Sequence, residues 1–106
     1  MAKYLIEANY IDDGIKGLLK EGGTSRRAAV EAAAKTVGGS VDAFYYAFGE
    51  TDAYVIIDMP DSVTSAALAL TIAASGTVTL RTTTLLTPED IDQAAKKSPS
   101  YRPPGQ

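Results

Sequence analysis

Two neighbouring segments have strand-like sequences in which neither alternate set of side chains is polar enough to face water. They are Val41–Phe48 and Asp52–Met59. In the second, the two alternate sets are Ala53, Val55, Ile57 and Met59, and Asp52, Tyr54, Ile56 and Asp58. Strands with this pattern are usually covered on both faces. The chain therefore has to build a sheet and bury both of its sides.

The rest of the chain alternates strand and helix patterns around this pair. The predicted elements are a strand over Lys3–Ile11, helices over Gly14–Lys20 and Ser25–Val37, the two strands above joined by a turn at Gly49-Glu50-Thr51, a helix over Ser62–Ser75, a strand over Thr77–Leu86 and a helix over Pro88–Lys97. Apart from the short first helix and the last helix, the order is β-α-β-β-α-β. This order predicts an α+β, ferredoxin-like domain with a four-stranded antiparallel sheet, helices on one face and an extra C-terminal helix.

Local signals mark where several elements begin and end. Asp61 is the predicted N-cap of the helix over Ser62–Ser75, and Thr87 followed by Pro88 predicts the start of the last helix. A chain of 106 residues has the length of one domain, which we assign to residues 1–97. Residues 98–106 are predicted to be a flexible, proline-rich tail.

The helices of one domain cover only one face of the sheet. We therefore expect a second copy of the chain to cover the other face by sheet-on-sheet packing, giving a homodimer or a higher homo-oligomer.

Helix Ser62–Ser75 is apolar on more than one side. Its predicted inward stripe is Val63, Ala66, Ala67, Leu70 and Ala74. Leu68 and Ile72 would then lie on the outer side. We expect the last helix, through Ile91, Ala94 and Ala95, to cover that pair, and the alternative is a further subunit.

Composition excludes several classes of function. The chain has no cysteine and no histidine, which excludes disulfides, thiolate chemistry, imidazole bases, His-ligated haem and most zinc sites. Its net charge of −3 does not favour binding to the negatively charged backbone of a nucleic acid. No apolar run reaches the ~18 residues of a membrane span. We expect a cytoplasmic protein that has no signal peptide and needs no metal or cofactor.

One candidate site is the start of the second helix. Gly22, Gly23, Thr24 and Ser25 offer backbone N–H groups and hydroxyls just before Arg26, which is the pattern of an anion-binding helix start. Arg26 lies one turn before Val30, so its stem is expected to point inward. The alternative is a plain glycine break in which Arg26 and Arg27 pair with surface carboxylates.

A second candidate site is formed by polar and aromatic residues on the strands. The candidate ligand-binding residues are Glu7, Asn9, Arg26, Tyr46, Tyr54 and Arg81, with Tyr10, Tyr45 and Asp58 nearby on the same strands. Such groups can orient a small polar ligand or stabilise an enolate. The alternatives are that the tyrosines pack at a dimer interface and that Glu7 or Asp58 forms a structural ion pair with Arg81.

Four stretches, KYLIEANY at 3–10, GIKGLLKEGG at 14–23, AFYYAFGETDAYVIIDMPD at 43–61 and AALALTIAASGTVTLRTTTLLTPEDI at 66–91, resemble the GYD domain family. The family motif is Gly-x-Tyr-Asp. Here Gly49 and Asp52 match it, and Thr51 stands where the family has tyrosine. The resemblance implies the dimeric α/β-barrel arrangement, whose wider group includes cofactor-free monooxygenases, muconolactone isomerases and effector-binding domains of regulators.

Three functions are consistent with these observations. The first is a homo-oligomer that binds a small organic molecule between the sheet and the helices. The second is a cofactor-independent monooxygenase or isomerase, in which a carboxylate or a lysine would have to accept the proton because there is no histidine. The third is a non-catalytic assembly or effector module.

Overall fold

The computed structural model describes all 106 residues, and its eight elements follow the predicted order. The strands are β1 (Ala2–Tyr10), β2 (Ser40–Tyr46), β3 (Ala53–Met59) and β4 (Val78–Leu85), and the helices are α1 (Asp12–Glu21), α2 (Gly23–Thr36), α3 (Ser62–Ala74) and α4 (Pro88–Lys97). Every boundary lies within two residues of its predicted position.

The four strands form one antiparallel sheet in the order β2-β3-β1-β4. The hairpin between β2 and β3 forms as expected, and a bulge at Asp42 shifts its register. This α+β arrangement is consistent with the ferredoxin-like fold that the element order predicts.

Side-chain caps begin two of the helices as predicted. The Asp61 carboxylate accepts a hydrogen bond of 2.7 Å from the N–H of Thr64 at the start of α3. Thr87 and Asp90 form a reciprocal capping box at the start of α4. Helices α1 and α2 are separated only by Gly22, whose φ of 86° is a conformation that glycine adopts without strain.

The core lies between one face of the sheet and helices α2 and α3. Its buried members are Tyr4, Ile6, Ala34, Val55, Ile57, Met59 and Leu68. The predicted apolar stripe of α2 packs here, with Ala34 fully buried and Val30, Ala33 and Val37 half-buried.

No helix packs on the opposite face of the sheet, which we call the open face. The strand register places Leu5, Ala43 and Ile56 in a central apolar row on it, flanked by Tyr45, Tyr54 and Glu7 on one side and by Lys3 and Asp58 on the other. Tyr45 is 71% exposed and Tyr54 40% exposed. The expectation that this face carries too much apolar surface for water is consistent with that placement.

The predicted orientation of α3 was wrong. Leu68 is buried against the sheet and Ile72 packs on the core, whereas Val63 and Leu70 are 80% and 71% exposed. Because apolar residues occur on all sides of this helix, the hydrophobic pattern does not distinguish its faces. The two larger side chains, Leu68 and Ile72, fill the core, and the alanine-rich stripe faces outward.

Helix α4 does not cover Leu68 and Ile72, contrary to our expectation. It has no buried residue, and Ile91 is 53% exposed. The sheet itself buries Leu68, so that pair needs no second cover.

None of the four helices combines the length and the apolar character that a membrane-spanning helix requires.

Candidate functional site

A cavity of about 230 Å³ lies between the helix-covered face of the sheet and helices α2 and α3. It is apolar apart from one arginine, three serine or threonine residues and the phenol of Tyr10. The lining residues most relevant to its chemistry are Tyr10, Arg26, Val30, Phe44, Leu68, Thr71, Ile72, Ser75, Thr77 and Leu80. A concave, mostly apolar space with few polar groups is the usual form of a small-molecule site.

Arg26 is the one charged residue that lines the cavity. The helical spacing places it one turn before Val30, and the predicted inward direction of its stem is confirmed because both residues line the same space. Its guanidinium also reaches the surface, where Nη1 lies 3.4 Å from a carboxylate oxygen of Glu21. The contact is long for a charge-assisted hydrogen bond, which is typically about 2.7–2.9 Å.

The three serine and threonine residues of the lining form their hydrogen bonds within the protein. Thr71 donates to the carbonyl oxygen of Ala67 at 2.8 Å, and Ser75 donates to that of Ile72 at 2.7 Å. Ser75 and Thr77 share a further hydrogen bond of 2.8 Å, for which Thr77 supplies the proton because that of Ser75 is already used. None of these three residues has a hydroxyl proton left for a bound molecule, and the remaining hydroxyl of the lining is the phenol of Tyr10.

Two tyrosines lie near Arg26. Tyr10 lines the cavity, and the hydroxyl of Tyr46 donates a hydrogen bond of 3.1 Å to the carbonyl oxygen of Gly23. Burial, followed by the neighbouring phenol of Tyr10, raises the pKa of Tyr46 to about 12, and the charges of Arg26 and Arg27 oppose this rise. Tyr46 is therefore a neutral hydrogen-bond donor at any physiological pH.

A second polar group of residues lies on the open face, which we call the open-face cluster: Glu7, Thr51 and Arg81. Nη2 of Arg81 lies 3.3 Å from both the Glu7 carboxylate and the Thr51 hydroxyl, and that hydroxyl lies 3.4 Å from Glu7. The ion pair between Glu7 and Arg81 is the structural alternative that the sequence left open. It is partly solvated, with Arg81 67% exposed.

Asn9 and Asp52 hold the loop that carries Thr51. The side-chain oxygen of Asn9 accepts from the N–H of Asp52 at 3.0 Å, and the Asp52 carboxylate accepts from the N–H of Tyr10 at 2.9 Å. The Gly49–Asp52 motif thus fastens the β2–β3 loop to the end of β1. Thr51, in the position of the family tyrosine, is 2% exposed beneath Glu7 and Arg81.

The sheet separates the six candidate ligand-binding residues into two groups. Glu7, Asn9, Tyr54 and Arg81 lie on or beside the open face, whereas Arg26 and Tyr46 lie on the helix side. They therefore do not line a single cleft. The separation follows from strand alternation, because Glu7 and Tyr54 are paired across β1 and β3 and point to the same side.

The anion-binding candidate at Gly22, Gly23, Thr24, Ser25 and Arg26 has no side-chain cap. Both arginines pair with carboxylates, Arg26 with Glu21 and Arg27 with Glu31 at 3.7 Å. These pairs correspond to the alternative in which Gly22 and Gly23 only interrupt the helix and both arginines pair with surface carboxylates. Gly23 instead meets the ring of Tyr46, which packs where a glycine Cβ would be.

Sequence reasoning missed two features of these surfaces. Lys3 lies 2.9 Å from both Asp42 and Asp58. Its hydrogen bond to Asp58, and after it the one to Asp42, raises the pKa of Lys3. The 39 and 55 residues that separate the partners in sequence give no local signal. The cavity residues of α3 were missed because the orientation of that helix was wrong.

No group of three or more acidic side chains capable of holding a metal is present.

Comparison with known proteins gives one match. The family model described as GYD domain matches residues 4–95, which is most of the chain. No curated protein and no solved structure matches.

Proposed function

Because the chain belongs to the GYD domain family, we propose that it is a homo-oligomeric, cytoplasmic domain that binds a small organic molecule in the cavity between the sheet and helices α2 and α3. The family match covers the cavity-lining residues from Ile6 to Leu80. The ligand lies on the helix side, and association with a second copy takes place on the open face.

The cavity is the observation that carries this proposal. An apolar cavity of about 150 Å³ is large enough to hold one benzene molecule. At about 230 Å³, this cavity has room for a single ring with a short substituent. Eleven of its 15 lining residues are hydrophobic, so it offers mostly apolar contacts to such a ring.

The lining favours binding over catalysis. It includes no carboxylate and no lysine, which are the proton acceptors that an isomerase or monooxygenase without histidine would need. Glu7, the carboxylate nearest to the middle of the sheet, points to the open face and pairs with Arg81.

The open face supports the homo-oligomeric part of the proposal. Leu5, Ile56 and Tyr54 form an apolar surface that lies on one side of a sheet and is not covered within the chain. Two such faces can pack on each other around a twofold axis, which buries the same surface on both copies.

A thermal-unfolding screen against single-ring organic molecules tests the binding proposal. A ligand at a hundred times its Kd adds about 2.7 kcal/mol to the free energy of unfolding, which raises the midpoint by several degrees. Ile72→Phe places a ring in the cavity and should abolish the shift. Leu70→Phe, on the exposed side of the same helix, should leave it unchanged.

If no molecule in such a screen stabilises the wild-type chain, the binding proposal is wrong. Equal shifts in the wild type and in Ile72→Phe would show that ligands bind somewhere other than the cavity, and would also reject it.

A further inference from the structure

We infer that the molecule bound in the cavity is a carboxylate carried on a single apolar ring, with Arg26 as its counter-ion. This inference rests on the proposed function and adds the chemical class of the ligand.

The charge of the ligand follows from the one charged residue in the lining. Arg26 presents a planar guanidinium with five donors, a geometry that matches the two oxygens of a carboxylate. Its contact with Glu21 uses one of these nitrogens at 3.4 Å. Most of its donors therefore remain available to an anion in the mouth of the cavity.

The surroundings of Arg26 favour a negative group at this position. Helix α2 begins three residues earlier and has no acidic residue in its first turn, so its dipole adds to the attraction of Arg26 for an anion. The pairing of Arg26 with Glu21 is solvated, with the two side chains 36% and 47% exposed, and such surface pairs are weak. A ligand carboxylate in a less solvated position can compete with Glu21.

The polar groups of the lining limit the ligand to one polar end. Thr71, Ser75 and Thr77 have committed their protons to the protein, so the remaining hydroxyl of the lining is the phenol of Tyr10, which lies beside Tyr46 and near Arg26. A polar group on the ligand away from Arg26 and Tyr10 would lose its hydration without replacement. The volume of about 230 Å³ then limits the apolar part to about one ring.

Calorimetric titration with three probes of matched shape tests this class: 3-phenylpropionate, 3-phenylpropanol and 3-phenylpropylamine at constant ionic strength. We expect the acid to bind about tenfold or more tightly than the alcohol, because a hydrogen bond to a charged group contributes more than a neutral one. The amine should bind most weakly.

Four variants assign the effect to Arg26. Arg26→Gln should reduce the affinity for the acid to that for the alcohol and leave the affinity for the alcohol unchanged. Arg26→Lys should have an intermediate effect, because lysine keeps the positive charge but cannot bind both carboxylate oxygens with a planar guanidinium. Glu21→Gln removes the competing carboxylate and should strengthen binding of the acid. Arg27→Gln is the matched control, because Arg27 pairs with Glu31 and does not line the cavity, so its affinities should change less than twofold.

Equal affinities for the acid and the alcohol in the wild type, with no effect of Arg26→Gln on either, would overturn the inference and leave the cavity function intact. The absence of binding by all three probes, together with no stabilisation in the broader screen, would overturn both.

Discussion

Single residues determine how closely the first helix approaches the sheet. Gly14 in α1 is buried, and a Cβ at this position would clash with the carbonyl oxygen of Thr77 just before β4. Gly17, one turn later, has open space around its Cα. The same residue type therefore has a packing role at one position and none at the other.

Replacing each glycine by alanine should change stability in opposite directions. Gly14→Ala should lower the free energy of unfolding by about 1–3 kcal/mol, because the obstacle is backbone that cannot rotate away. Gly17→Ala should raise it by about 0.5–1 kcal/mol through helix propensity. Urea denaturation with equal m-values measures both. A neutral Gly14→Ala variant would show that α1 does not approach Thr77 closely.

Sequence reasoning at this scale was most successful where the partner is close in the chain or where the alternation of a strand determines the side. The caps at Asp61 and Thr87 and the inward stem of Arg26 were predicted correctly. The three-way contact of Lys3 with Asp42 and Asp58 depends on the sheet register, including the bulge in β2, and no local pattern specifies that register.

At the scale of elements, the helix starts depend on charge and hydrogen bonding more than on the apolar pattern. The hydrogen bond from the Thr64 N–H is the main cause that lowers the pKa of Asp61. The folded state therefore binds the Asp61 proton less tightly than the unfolded state does. The resulting stabilisation is present above about pH 4 and is lost as the pH falls through the lower, folded-state pKa.

Asp61→Asn separates the cap from its charge. The amide oxygen still accepts the Thr64 N–H but does not titrate. We expect the wild type to be at least as stable as the variant at pH 7 and to lose more stability between pH 5 and pH 2. Thermal unfolding of both proteins across this range measures the difference, and parallel pH profiles would contradict the assigned role of Asp61.

Helix α3 shows the limit of pattern reasoning for whole elements. Its position and length were predicted correctly, but its orientation was not, because Val63 and Leu70 are as apolar as Leu68 and Ile72. The choice between the faces is made by tertiary packing, in which the larger pair fills the space above β3 and β4. The same cause hid Thr71 and the C-cap residue Ser75 as cavity residues, so the position of the site was easier to predict than its lining.

For the whole molecule, the main consequence of the fold is that one sheet serves two separate surfaces. The β-α-β-β-α-β order predicted the topology and the helix-free face. It did not predict that the cavity and the open-face cluster lie on opposite sides, because the pairing of Glu7 with Tyr54 and Arg81 becomes visible only with the register.

The proposed association through the open face predicts a contrast between two lysine substitutions. Ile56→Lys puts a charge into the central apolar row and should raise the dimer Kd about a hundredfold or more, because an unpaired buried charge is costly. Leu70→Lys, on the outer side of α3, should leave the dimer intact.

Sedimentation velocity at micromolar concentration, together with circular dichroism to verify the fold, distinguishes these variants. A wild-type chain that sediments as a monomer would reject the dimer. Dissociation caused by Leu70→Lys alone would place the interface on α3 instead.

Strand β1 has a further consequence for how this protein can diverge. Its even-numbered residues Ile6, Ala8 and Tyr10 line the cavity, and its odd-numbered residues Leu5 and Glu7 lie on the other side of the same backbone. The proposed ligand site and the proposed dimer surface therefore use alternate residues of the same nine-residue strand. Substitutions at the even-numbered residues can change the cavity without altering the open face, and substitutions at the odd-numbered residues can change the open face without altering the cavity.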